Sequence, residues 1–358
     1  MSLTSTRASN DALACTLRGP TVALHARRLV AIGILLIGFI TCVTVADAVA
    51  VGAYVENIQT LDLATNSFMA DIYVWMRWMN PELAPYESLE VMNPYEMWAL
   101  TAVPLTTEPV PQPDGSLYYA IRYQGAFNTT FDLSKFPFGE QALRIQLEDQ
   151  RLEADQLSYV LDGNAIAIDP QVTLPGYDID QPTIAVDDVR YSSNFGDLNS
   201  RANDVYSRVT ITIPVMHPVL ATSVKVLLPL ILVVATESLI FHVPPSLIEA
   251  RIGLGITALL TLVAMQWSAL SSLPDGGYLV MLDVLYIASF MFVLTTLIQT
   301  LATSWKAREG DEAGAIHLDE RTMVIDLAVF VAVSAIIMWW FLRQRPPRPR
   351  QPLRVVSP

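Results

Sequence analysis

Beyond Pro218 the chain carries four apolar stretches, at about 219–241, 252–270, 279–304 and 322–342. Each has, or nearly has, the ~20 residues that a helix needs to cross a hydrocarbon core. No other feature restricts the fold as strongly, because a backbone in lipid must satisfy its own hydrogen bonds, and a helix does so within one segment. The links between the stretches are short: 242–248, 271–278 and a charged Lys306–Arg321. Lys225 and Glu237 in the first stretch are expected to snorkel or to lie near its ends.

The region ahead of these stretches has the opposite character. Residues 51–217 hold twenty-three Asp and Glu against eight Lys and Arg, more acidic than the −13 of the whole chain. Such a surface repels phosphate, which argues against nucleic acid as a partner, and it tends to concentrate cations. The segment VYSRVTITI (205–213) alternates strictly, with Val205, Ser207, Val209, Ile211 and Ile213 on one face. Segments 68–79 and 118–131 are strand-rich in the same way, and turn clusters such as Pro111–Gly115 and Leu174-Pro175-Gly176 lie between strands. Short strands between frequent turns predict an all-β, immunoglobulin-like sandwich over 51–217, followed by a four-helix transmembrane bundle over 218–342.

Further upstream, ARRLVAIGILLIGFITCVTVADAVA (26–50) has two arginines, an apolar run and the spacing Ala46-x-Ala48-x-Ala50. This is the layout of a secretory signal peptide with its cleavage site; an uncleaved anchor helix is the other reading. The stretch before it is longer than a usual n-region, which would suit a start further in. Residues 1–50 are therefore expected to be an extension and export segment, with the β domain in the periplasm. The tail 343–358 is basic and proline-rich, with Arg343, Arg345, Arg348, Arg350 and Arg354, and is expected to be disordered. Entry led by a signal followed by four spans puts that tail outside, against the positive-inside tendency.

Enzyme chemistry finds no foothold. The two cysteines, Cys15 and Cys42, both precede residue 51, and the four histidines are scattered. No nucleophile elbow, phosphate loop or paired-His metal motif is present, so no catalytic residue, metal or cofactor is expected. The acidic surface could hold Ca²⁺ through carboxylates, although no recognisable Ca²⁺ loop occurs.

The second stretch, EARIGLGITALLTLVAMQWSALSSLP (249–274), is the least ordinary. On an α-helix Glu249, Gly253, Thr257, Leu260, Ala264 and Trp267 or Ser268 share one face. A polar, small-residue stripe fits a water-filled lumen shared by several copies; it fits equally a face packed against a neighbouring helix.

ARIGLGITALLTL closely resembles the pore helix of the pentameric ligand-gated ion channels, especially the glycine and GABA receptor branch. Residues 131–145, FDLSKFPFGEQALRI, resemble the loop that gives the Cys-loop receptors their name, around Phe136, Pro137 and Phe138. Thr129 and Leu143 stand where the paired cysteines would be, as in bacterial members. Pro229 within the first helix, Leu273-Pro274 after the second and Asp283 early in the third extend the likeness over 51–342.

The resemblance implies a homopentamer in a bacterial inner membrane that conducts monovalent cations. Glu249 would form the selectivity ring at the cytoplasmic mouth, with Arg251 turned from the lumen, and Leu260 the hydrophobic gate about 16 Å further along. Trp267 is either an outer constriction or an aromatic turned toward a neighbouring helix. Asp62, the Phe136–Phe138 core, His217 and Pro274 would couple the β domain to the pore. Gly139 and His217 replace the family's usual Asp and Arg, which leaves an Asp62–His217 pair whose protonation could tune gating. Trp75, Arg77, Tyr177, Tyr191 and Phe195 would line an agonist site between subunits, although each also suits a core position. The agonist would be a small molecule or the proton, with Ca²⁺ as a modulator. A non-conducting membrane sensor that signals to a partner is the rival reading.

Overall fold

The computed structural model describes residues 46–194, 196, 204–271, 273–274 and 279–343. The export segment through residue 45, Phe195 and the tail from 344 lie outside the described residues.

Among the described residues eleven strands precede four long helices. One sheet runs β4 (Thr101–Pro104), β6 (Leu117–Asn128), β2 (Ser67–Trp78), β1 (Asp47–Asp62), β8 (Leu157–Ile168), with β5 (Val110–Pro111) also on β6. The other runs β10 (Thr183–Arg190), β11 (Val205–Met216), β7 (Glu140–Asp149), β3 (Leu89–Val91), with β9 (Asp178–Ile179) also on β11. Pairing is antiparallel except between β1 and β8.

Alternation explains the core. In β2 the residues Phe68, Ala70, Ile72, Val74, Met76 and Trp78 point inward and are buried. In β11 Ser207, Val209, Ile211, Ile213 and Val215 do the same, as the 205–213 pattern predicts. They meet Leu143, Ile145 and Leu147 of β7 and Val49, Val51, Ala53 and Val55 of β1 in one apolar cluster. Three acidic residues of these strands are nevertheless buried: Asp71 pairs with Arg122, Glu148 with Arg208, and Asp149 accepts the Ser88 hydroxyl.

The expected boundary at residue 50 falls inside a strand. β1 begins at Asp47, with Ala50 opposite Arg77 of β2, and Val49 is fully buried. Ala48 and Ala50 alternate with Val49 and Val51 because the strand does, and removing residues through 50 would strip Val49 from the core.

The helices are α1 (Val219–Ser238, extended by a 3₁₀ turn Leu239–His242), α2 (Ile248–Leu270), α3 (Met281–Arg308) and α4 (Glu312–Arg343). All four are long and apolar enough to cross a membrane. α3 begins where the Asp283 carboxylate accepts the Val280 N–H at 3.0 Å, which satisfies an orphan donor of the first turn. The charged Lys306–Arg321 link predicted from hydropathy is mostly helix, and only Glu309–Asp311 connects α3 to α4. Gly310, at φ +94°, makes the reversal, and Asp311 accepts the Gly314 N–H at 2.9 Å to open α4. Polar turns at helix ends escape a hydropathy reading but keep the backbone bonds of the helix. Arg343, counted with the tail in the sequence, is the last residue of α4.

Candidate functional site

Four residues of α2 are buried against the rest of the bundle: Arg251, Gly255, Ala258 and Leu262. At about 100° per residue they occupy an arc of roughly 60°. Glu249, Gly253, Thr257, Leu260, Ala264, Trp267 and Ser268 are all exposed, and their arc is centred about 160° away. The expected pore face is thus the face turned from the chain's own bundle. Leu260 is 64% exposed and Trp267, on nearly the same meridian as Glu249, is 80% exposed. The polar groups of this face are partly self-satisfied. Thr257 Oγ1 donates to the Gly253 carbonyl and Thr261 Oγ1 to the Thr257 carbonyl, each at 2.8 Å.

Arg251, two positions from Glu249, has no solvent exposure. Its guanidinium donates to Asp319 Oδ2 of α4 at 2.8 Å, to Thr303 Oγ1 of α3 at 3.0 Å and, through Nε, to the Ile240 carbonyl after α1 at 3.2 Å. One side chain therefore ties α2 to the other three helices and is neutralised by a carboxylate that is 1% exposed. Glu237 lies near the end of α1, next to its last residue, but does not snorkel: it turns inward and is 1% exposed. Its two carboxyl oxygens have no hydrogen-bond partner among the described residues. Lys225, in contrast, is exposed near the start of α1.

The β domain meets the bundle through the 131–139 loop. Ser134 offers its carbonyl to the Met281 N–H at 3.0 Å, so the loop touches the first residue of α3. Pro137 is buried, with Phe136 and Phe138 half-buried beside it. Phe136 meets His217 edge-on, at 6.3 Å between centroids, and Tyr177 stacks on the same ring at 4.1 Å. His217 Nδ1 lies 2.9 Å from the Gly176 carbonyl, an acceptor, so this nitrogen carries a proton and donates. The expected Asp62–His217 pair is not made. Asp62 Oδ1 instead accepts the N–H groups of Ala64 and Thr65, at 2.9 and 3.3 Å, and is committed to the β1–β2 turn. Pro274 is half-buried after Leu273, which packs on the core.

The residues expected to line an agonist site are divided. Trp75 and Arg77, on β2, are joined by Asp162 of β8, which accepts the Trp75 indole N–H and an Arg77 N–H, each at 2.9 Å. These bonds, the indole's foremost, hold the Asp162 carboxyl below its ordinary range. Arg77 also reaches Asp114 at 3.0 Å, a carboxylate lowered chiefly by the Ser116 hydroxyl and backbone N–H. Tyr191 directly follows β10 of the other sheet. Its hydroxyl donates to Glu148 at 2.9 Å and accepts from Arg208 at 2.8 Å, and burial foremost raises its pKa. Tyr177 is set apart from all of these, against His217 at the bundle. Residues 178–179, which follow it as β9, pair with β11 beside Val215 and Met216.

Sequence reasoning missed Asp162, Glu148, Arg208 and Asp319, each bound to its partner across long sequence separations. For Ca²⁺, no group of three or more His, Cys, Asp or Glu side chains converges among the described residues.

A strand-rich domain ahead of four apolar helices, joined through a Phe-Pro-Phe loop, is consistent with the architecture of the Cys-loop receptors. No family model matches the chain. It is 25% identical over 203 residues to a gamma-aminobutyric acid receptor subunit beta of Lymnaea stagnalis, covering 54% of this chain and 38% of the relative. With the rho-1 subunit of Homo sapiens the identity is 24% over 196 residues, covering 54% and 39%. With pH-sensitive chloride channel 2 of Drosophila melanogaster it is 24% over 299 residues, covering 75% and 55%. The chain spans about two fifths of the length of the first two relatives. At this low identity, its relatives are subunits of ligand-gated channels of the Cys-loop superfamily.

Proposed function

We propose that the chain is one subunit of a ligand-gated, cation-selective channel, a cysteine-less bacterial member with its β domain in the periplasm and residues 218–342 in the inner membrane. Five copies would surround a lumen lined by the Glu249 face of α2. The observation that carries the reading is the contrast at the mouth: Glu249 is exposed while Arg251, two residues on, is buried and paired with Asp319. A ring of Glu249 carboxylates then sets the sign of the permeant ion. Leu260, about 16 Å along the same face, supplies an apolar ring that closes by shedding water. A small agonist between neighbouring copies would touch Trp75 and Arg77 of one and Tyr191 of the next. His217, Tyr177 and Phe136 would pass the domain's movement to α3 and α1, with Asp62 and Pro274 at the same junction.

The comparisons pull against one part of this reading, since one relative is named a chloride channel. The deciding measurement is the reversal potential across a salt gradient, in reconstituted bilayers, for the wild-type chain and Glu249→Ala. Currents reversing near the cation potential, with that preference lost in the variant, are expected. Reversal near the anion potential in the wild type would overturn cation selectivity.

A further inference from the structure

Asp319 sits on α4, away from the exposed face of α2, yet it holds the cation nearest in sequence to Glu249. The Arg251–Asp319 pair is fully enclosed, and the other two bonds of Arg251 go to neutral oxygens, Thr303 Oγ1 and the Ile240 carbonyl. Among the described residues Asp319 therefore supplies the only negative charge bonded to this guanidinium. A buried ion pair contributes little net stability while intact, but an unmatched partner left inside is strongly unfavourable. An arginine always stays charged, so it cannot escape by losing a proton. It can escape by moving: the side chain is long, α2 begins only three residues earlier at Ile248, and long basic side chains near helix ends reach for water. The water available there is that of the inner mouth, where Glu249 is exposed.

We propose that Asp319 is a positioning residue for ion selectivity, which keeps the mouth cation-preferring by holding Arg251 away from Glu249. The inference rests on the reading of Glu249 as the mouth's charge. The pair thus acts as electrostatic storage: each copy keeps one positive charge at the level of the mouth without presenting it to the ions. Without Asp319, each copy would add a positive charge beside each carboxylate, and the ring would approach neutrality. Thr303 and the Ile240 carbonyl can orient the guanidinium but cannot cancel its charge, so they do not replace Asp319.

The test compares reversal potentials of wild type, Asp319→Asn and the double variant Arg251→Met/Asp319→Asn, in full-length channels. In Asp319→Asn the cation-to-anion permeability ratio should fall about tenfold or more, the scale of a unit charge placed a few ångströms from another. In the double variant the ratio should return to the wild-type value, because no stray cation remains. A merely structural role would lower current or assembly and leave the ratio unchanged in the channels that conduct. If Asp319→Asn does not assemble alone, co-assembly with wild-type copies supplies conducting channels, whose ratio should fall as the variant's share rises. An unchanged ratio in Asp319→Asn channels or co-assemblies, or a lowered ratio that the double variant does not restore, overturns the proposal. A wild-type channel that prefers anions overturns the Glu249 reading instead, and this inference with it.

Discussion

Gly253 and Gly255 stand two positions apart on α2 and meet opposite surroundings. A Cβ on Gly255 would fall 2.3 Å from Leu297 Cδ2, 2.9 Å from its Cγ and 3.3 Å from Glu237 Oε1, whereas at Gly253 nothing lies within 4 Å. Gly255 is where α2 and α3 come together, and Gly253 faces away. Gly255→Ala should therefore cost about 1–3 kcal/mol by overpacking. Gly253→Ala should be neutral or gain up to ~1 kcal/mol of helix propensity. Thermal unfolding of the full chain in detergent separates them; equal shifts would contradict the packing at Leu297. Asp162 offers a second test at this scale. Its carboxyl is held below the ordinary range by the Trp75 indole and Arg77. A depressed carboxyl contributes stability that is present above its unfolded value, about 3.9, and lost as the pH falls through the folded one. The gap in Tm between wild type and Asp162→Asn should be constant above about pH 5 and close on further acidification. A gap that widens in acid would show that Asp162 is not held ionised by these partners.

Among the elements, those with a repeating pattern could be read before folding. β11 and β2 declare themselves by alternation, and α2 by a polar stripe that the structure leaves exposed. What pattern could not show were the partners. Arg251 and Asp319 lie 68 residues apart, and Trp75 and Asp162 lie 87 apart. No local period relates such positions; only the packing of α2 and α4 on α3, or of β1 between β2 and β8, brings them together. The polar ends of α3 and α4 were hidden for a different reason, since hydropathy registers solvent preference and not backbone hydrogen bonding. That Tyr177 stacks on His217 was equally hidden, because an aromatic after a Pro-Gly turn says nothing of which end of the sandwich the turn occupies. The orientation of α2 has its own consequence. In a background lacking Cys15 and Cys42, single cysteines at 253, 257, 260 and 264 should react with a water-soluble thiol reagent and block current. Cysteines at 255, 258 and 262 should be protected, because the native residues there are buried. Protection that follows no helical period would rule out this face as the lumen.

At the scale of the whole molecule, the four helices are unequally satisfied by their own chain. Of the most apolar stretch of each, 44% is buried in α3 but only 22% in α2 and 6% in α4. For α4 this is unremarkable, since an apolar helix face is at home in lipid. For α2 it is not, because its exposed face carries Glu249, and an unpaired carboxylate facing hydrocarbon is costly. On the proposed reading water reaches that face. One helix cannot enclose water, so the face would be completed by other copies arranged about an axis, each presenting the same side of α2 inward. Closed rotational symmetry is the usual solution for identical subunits. The resemblance to the pentameric channels sets the expected number at five. Native mass spectrometry of the detergent-solubilised protein should thus give a single assembly of five chains. Glu249→Leu separates the lumen from a lipid-facing alternative. If the face lines water, the pentamer should persist and the cation preference should vanish. If the face meets lipid, leucine should raise stability and leave any current as it was. A stable monomer in mild detergent would remove the enclosed lumen altogether, and with it the account of why this helix carries a carboxylate at its mouth.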